Sequence, residues 1–167
     1  KELIKEDKTG KQNYCYTIKS NGSIGIAPIA FPRITKQNTR VIKVVLDNDQ
    51  EIVCTPNHKF MLRDGSYKQA QELKPSDSLM PLRRQLSRLG KRITIEGYEM
   101  VFDPGQNRWL FTHMLSDEYN LNNNVYQLSN GDHRHHLDFN KLNNNPDNLK
   151  RLSKKEHLSL HKELLKV

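Results

Sequence analysis

Cysteine is nearly missing. Cys15 and Cys54 are the only two, too few for a disulfide framework or a four-cysteine zinc site. A reducing compartment is the expectation. Long apolar runs are missing as well. No window nears the roughly 18 apolar residues of a membrane helix. Lys1-Glu2-Leu3-Ile4-Lys5-Glu6-Asp7 lacks the apolar core of a signal peptide. The expected location is cytoplasmic, at the nucleoid if the source is prokaryotic. Apolar residues are also scarce, at 35% of 167, against about 45–50% in an ordinary domain. The core is therefore modest and divided, or ordered by something besides apolar burial. No internal repeat is seen.

What is present is positive charge and histidine. Lys and Arg number 27 against 19 Asp and Glu, for a net +8. Such an excess invites a polyanion, most commonly nucleic acid. It is spread evenly: 13 basic and 9 acidic residues precede Arg83, and 14 and 10 follow. Only Arg83–Arg92 concentrates it, with five basic residues in ten and no acid. That stretch reads as a linker touching phosphate, or as a solvated charged helix. Five of the seven histidines lie at or beyond position 133.

The two halves differ in pattern. Residues 1–82 read as short strands at Tyr14–Lys19, Val41–Leu46, Glu51–Thr55, Phe60–Leu62 and Tyr67–Leu73. Turn signals such as Ser20-Asn21-Gly22 and Asp64-Gly65 separate them, which indicates a β-rich module. In the second half, Ile93–Ile95 and Tyr98–Phe102 are strand-like, Trp109–Met114 reads as a strand running into a helix, and Asn120–Asn124 reads as a mobile loop.

The histidines fall in an ordered pattern. Ser153 and Glu156 form an S-x-x-E capping box, which predicts a helix from Lys154 to about Leu165. His157 and His161, four apart, share one face of it. Upstream, His135 and His136 sit in a predicted strand and so point to opposite sides. Asn143-Asn144-Asn145-Pro146 makes a loop, and Asn148–Leu152 returns as a strand. One of the paired histidines can join His157 and His161 around a divalent ion, while the other faces outward toward substrate. A metal neutralises charge developing on a phosphodiester. A neutral imidazole, its tautomer fixed by an acceptor, can take a proton from water. A second reading is a purely structural zinc site, with His133 as a fourth ligand.

Residues 133–161 resemble the HNH nuclease family with its ββα-metal motif. The resemblance rests on His135-His136, the Asn-rich loop, Asn148, His157 and His161. It implies His136 as general base, Asn148 orienting it, and His135, His157 and His161 as metal ligands. Asn144 would hold the loop and Asp138 would bond within it. It also implies Mg²⁺ as the working ion, whereas three imidazoles by themselves suit Mn²⁺, Zn²⁺ or Ni²⁺. The stretch up to Thr112-His113 is similar to the lead-in of intein-type members, with Met114 where those carry Arg. His113 alone reads as a packed histidine.

Cys54-Thr55-Pro56-Asn57-His58, with the turns that follow, resembles the middle of a Hint (intein) splicing domain. Thr55 and His58 match the pair that polarises the amide at the upstream splice junction. Lys1 is not a splicing nucleophile and Lys166-Val167 is not a His-Asn ending, so the expectation is a Hint fragment that does not splice.

Together these readings predict an α+β protein: an incomplete Hint-like module at 1–82, a basic linker at 83–92 and an HNH module at 93–167. The expected function is that of an intein-type homing endonuclease, a metal-dependent nickase of double-stranded DNA, fused in cis to a host protein. Arg83, Arg84, Arg88, Lys91, Arg92, Lys150, Arg151, Lys154 and Lys155 are its candidate phosphate contacts, which position DNA without reading bases. The alternatives are a splicing fragment with a decayed nuclease and a metal-stabilised, non-catalytic DNA-binding protein.

Overall fold

The computed structural model describes residues 2–90 and 93–164. The chain divides into two units: Pro32–Leu82, and Glu2–Phe31 together with Arg83–Val167. This differs from the expected 1–82 module, and side-chain packing explains why. Helix α1 (Glu2–Lys8) leads into strands β1 (Asn13–Ile18) and β2 (Ile24–Ile29). They form an antiparallel hairpin with Tyr16 opposite Ile26 and Ile18 opposite Ile24. Its tight turn needs Gly22 at φ 79°, where a side chain would be strained. The apolar face of this hairpin closes on Val101 and Leu115, far along the chain.

The other unit, Pro32–Leu82, holds β3 (Ile42–Val45) paired with β4 (Glu51–Cys54), and β5 (Lys59–Met61) paired with β6 (Tyr67–Gln69). The predicted Tyr67–Leu73 strand is cut short, because Ala70–Glu72 forms a 3-10 turn. Backbone bonds from Ala70 N–H to His58 (2.8 Å) and from Met80 N–H to Met61 (2.9 Å) tie its segments together.

Beyond Leu82 the chain re-enters the larger unit. Strand β7 (Arg84–Leu86) pairs with β8 (Glu99–Asp103), which pairs in turn with β9 (Arg108–Phe111), all antiparallel. The expected linker at 83–92 is thus, in part, an outer strand. Arg84 bonds Glu99 across it at 3.1 Å. Among the described residues, Ile93–Ile95 forms a single bridge, Gly90 to Ile93. Helix α2 (Thr112–Asn122) follows directly. It absorbs the start of the predicted Asn120–Asn124 loop. Asn120 is 1% exposed and its amide donates to Pro146 O at 2.7 Å. A buried amide with a backbone partner stabilises a helix that composition alone reads as loop.

Ile24, Val101 and Leu115 form the core of this unit, with Tyr16, Ile18, Ile26 and Leu110 packed against them. The remaining elements are β10 (His133–His136), β11 (Leu149–Leu152) and α3 (Lys154–Leu164). Among the described residues, no helix is long and apolar enough to cross a membrane.

Candidate metal centre

Strands β10 and β11 set the register of the site. His133 lies opposite Leu152, His135 opposite Lys150 and His136 opposite Leu149. Strand alternation then puts His133 and His135 on one face and Arg134 and His136 on the other. The capping box forms as spaced: Ser153 N–H donates to Glu156 Oε2 at 2.8 Å, and Glu156 N–H to Ser153 Oγ at 3.3 Å. It fixes where α3 starts, and so the phase of its histidine face.

That face meets β10. The Nε2 atoms of His157 and His161 stand 3.2 Å apart. The His135 ring lies 5.4 Å from that of His157 and 5.5 Å from that of His161, centroid to centroid. One nitrogen from each of the three lies within 4.8 Å of the others. Burial first, then His161 and His136, hold the His135 pKa below the ordinary imidazole value. Burial, followed by His161, His135 and His133, lowers that of His157. Rings held neutral keep the lone pair that a metal needs. The donor set therefore fits a divalent ion that favours nitrogen. Phe139 covers the cluster, its ring 4.8 Å from His135 and 5.7 Å from His161. It does so from a left-handed backbone (φ 58°), a conformation a bulky residue adopts only when its surroundings impose it.

His136 does not face outward. It is 7% exposed, against 4% for His135. Its ring packs 6.0 Å from His113 and 6.3 Å from Tyr98, since the second face of β10 lies against the β8–α2 layer. Its Nε2 meets Asn144 Oδ1 at 3.1 Å. Asn148, expected to orient His136, instead donates to Asp138 Oδ1 and to Asn143 O, both at 2.8 Å. Asp138 gathers the loop by also accepting from Asn140 N–H at 2.9 Å and Asn143 Nδ2 at 2.7 Å. Ser116 on α2 anchors the loop through a bond to Asn144 O. His113 is buried with no partner for Nδ1 among the described residues, and burial, followed by His136 and Arg134, pushes its pKa down to about 4.

Among the candidate phosphate contacts, Arg151 is a correction. It is 4% exposed, and its guanidinium grips Asp117 in two bonds of 2.7 and 2.6 Å. Strand alternation turns it inward, onto α2. Arg83, Arg84, Arg88, Lys150, Lys154 and Lys155 are exposed. Lys91 and Arg92 lie outside the described residues. Thr55 and His58 share a tight turn, His58 N–H donating to Thr55 O at 3.0 Å, and His58 is exposed.

Asp117 itself escaped the sequence reading. It also accepts from Arg134 Nε at 3.0 Å and Tyr126 OH at 2.9 Å. One signal was available: Ser116, Asp117 and Asn120 share a helix face at i, i+1 and i+4 beside Leu115.

Against known proteins, the chain is similar to the B subunit of DNA gyrase from Synechocystis sp. (strain ATCC 27184 / PCC 6803 / Kazusa). The two are 56% identical over 163 residues, which is 97% of this chain and 15% of that protein. The chain thus spans about a seventh of the length of the relative it matches. No family model matches, and no solved structure matches. The intein-type homing endonuclease reading is overturned by these findings. So are the splicing and nickase roles that went with it. Nearly the whole chain aligns with a protein named as part of a gyrase, and neither a Hint nor an HNH family model is matched.

Proposed function

We propose that the chain is a DNA-contacting, metal-binding segment of a longer protein resembling the B subunit of DNA gyrase. The convergence of His135, His157 and His161 carries the metal half of this reading. An ion held there joins a hairpin to the helix after it, in a unit whose apolar core is small. It acts as a structural cross-link, and its binding free energy adds to folding. Imidazole ligands suit Zn²⁺, Ni²⁺ or Mn²⁺, whereas Mg²⁺ favours oxygen. His136 and Asn144 then serve as a partly buried hydrogen-bonded pair that holds the Asn-rich loop against β10.

The DNA half is supported by the name of the relative and by the basic residues Lys150, Lys154 and Lys155, exposed around the start of α3. These would contact phosphate, beside the metal rather than through it. Such a protein works in the cytoplasm, with DNA as partner.

Calorimetric titration with Zn²⁺ tests the reading, alongside DNA binding at several salt concentrations. The expected result is one ion per chain, abolished by His135→Ala, and DNA affinity that falls steadily with salt. Absence of metal binding by the intact chain would discard the metal half. Salt-independent or undetectable DNA binding would discard the other.

A further inference from the structure

We infer that His133 is the fourth ligand of the metal centre and closes it to outside ligands. The inference rests on the metal-binding reading above and deepens it. His133 and His135 are two apart on β10, so both side chains leave the strand on the face that α3 covers. The His133 ring lies 5.2 Å from that of His157. Ring separations within the trio run from 4.5 to 5.5 Å, so His133 stands as close to His157 as those rings stand to one another, while its nitrogens lie outside the 4.8 Å set and have to turn toward it to bind.

The second observation is an unmet polar atom. His133 Nδ1 is buried and has no hydrogen-bond partner among the described residues. A buried nitrogen left unpaired costs on the order of 1–3 kcal/mol, so native proteins seldom leave one without a purpose. His133 borders the cluster through His157, and coordination would give this nitrogen a partner. Its backbone is fixed by pairing with Leu152, so recruitment has to come from its side-chain torsions.

The consequence is chemical. Three imidazoles leave a tetrahedral ion one open position, where water or an anion can bind. A fourth imidazole fills it, and the centre becomes a structural one. That fits a cross-link better than a reactive site. It also favours Zn²⁺ and Co²⁺, which accept four nitrogens in a tetrahedron, over ions that insist on six oxygens.

Co²⁺ gives a direct test, because its visible spectrum reports coordination. The full chain is loaded with Co²⁺ and titrated with azide, as are His133→Ala, His133→Gln and His135→Ala. Circular dichroism checks the fold of each. The expected spectrum of the unsubstituted chain does not respond to azide. Both His133 variants bind Co²⁺ more weakly, by at least the roughly 10–100-fold that loss of an outer-shell partner costs, and their spectra shift as azide enters. An azide response from the unsubstituted chain matching that of the variants would overturn the fourth-ligand inference while leaving the three-histidine site intact. So would unchanged affinity and spectrum in a folded His133→Gln. Failure of the unsubstituted chain to take up Co²⁺, or uptake that survives His135→Ala, would remove the three-histidine reading and this inference with it.

Discussion

The two units solve the problem of a scarce apolar core in different ways. In Pro32–Leu82, Ala70 is the single buried residue among those described, and Val45, Val53 and Tyr67 are exposed. Short hairpins there are tied by backbone bonds and by a Lys68–Asp77 ion pair at 2.8 Å. The larger unit buries Ile24, Val101 and Leu115, and beside them a polar knot on Asp117. One unit thus depends on local turns. The other depends on long-range contacts that join α2, β10 and β11 from residues 17 and 34 positions apart.

The sharpest way to break that contrast is Asp117→Asn. Asp117 is 2% exposed and satisfies Arg151, Arg134 and Tyr126 together. Removing its charge leaves buried guanidinium without a counter-ion, which costs about 3–5 kcal/mol. Denaturant unfolding of the larger unit should show that loss, while the Pro32–Leu82 unit keeps its midpoint. The same contact sets an acid limit. Burial opposes ionisation of Asp117, but the bonds from Arg151, Arg134 and Tyr126 outweigh it and lower its pKa. The stabilisation is complete above the unfolded carboxyl value of about 3.9. It disappears as pH falls through the lower folded value. A stability–pH curve for Asp117→Asn should therefore lose its steep acid limb, and an unchanged limb would assign the acid sensitivity to another group.

Metal should sharpen the comparison from the other side. If the proposed site binds Zn²⁺, saturation at 100 times its dissociation constant should add about 2.7 kcal/mol to the folding unit that holds it. That gain belongs to the larger unit alone. Thermal unfolding followed by tryptophan fluorescence suits this, because Trp109 is the chain's one tryptophan and lies in β9. A Zn²⁺-insensitive Trp109 transition would contradict the placement of the site.

Much of this site was legible for one reason: its determinants are local. The i,i+4 spacing of His157 and His161, the Ser153–Glu156 box and strand alternation at His135 each depend on a few neighbouring residues. Their geometry follows from helix and strand periods. The largest misreadings involve long-range contacts. Arg151 reads as a surface cation until α2 supplies Asp117, and Asn120 reads as loop until Pro146 O accepts its amide. The affiliation of residues 2–31 could not be read either, because Tyr16 and Ile24 find their partners roughly eighty positions later. The same limit explains the exchange of Asn144 and Asn148. Both lie at plausible reach of His136 along the chain, and only the path of the loop decides between them.

That exchange leads to a smaller prediction. Asn148 donates to a carboxylate, Asp138, as well as to Asn143 O, whereas Asn144 bonds the His136 ring. Hydrogen bonds to charged groups contribute about 1.5–3 kcal/mol, and neutral ones about 0.5–1.5. Asn148→Ala should therefore destabilise the larger unit more than Asn144→Ala does, as measured by urea unfolding. Equal losses would mean that the loop carbonyl contacts, rather than the carboxylate, set the energy.

The smallest effect falls on the hairpin unit. Val53 is 62% exposed, on the open face of β4 opposite Lys43. Threonine keeps the β-branched shape that suits a strand, adds a hydroxyl that water can satisfy, and leaves no cavity. Val53→Thr should change stability by less than about 0.5 kcal/mol. The same substitution at Val101, which is fully buried, strands its hydroxyl in the core at a cost on the order of 1–3 kcal/mol. The pair of measurements turns the contrast between units into a ratio. A loss at Val53 approaching that at Val101 would show that another surface covers this face of β4 in solution, and that Pro32–Leu82 obtains from that contact the burial its own hairpins do not provide.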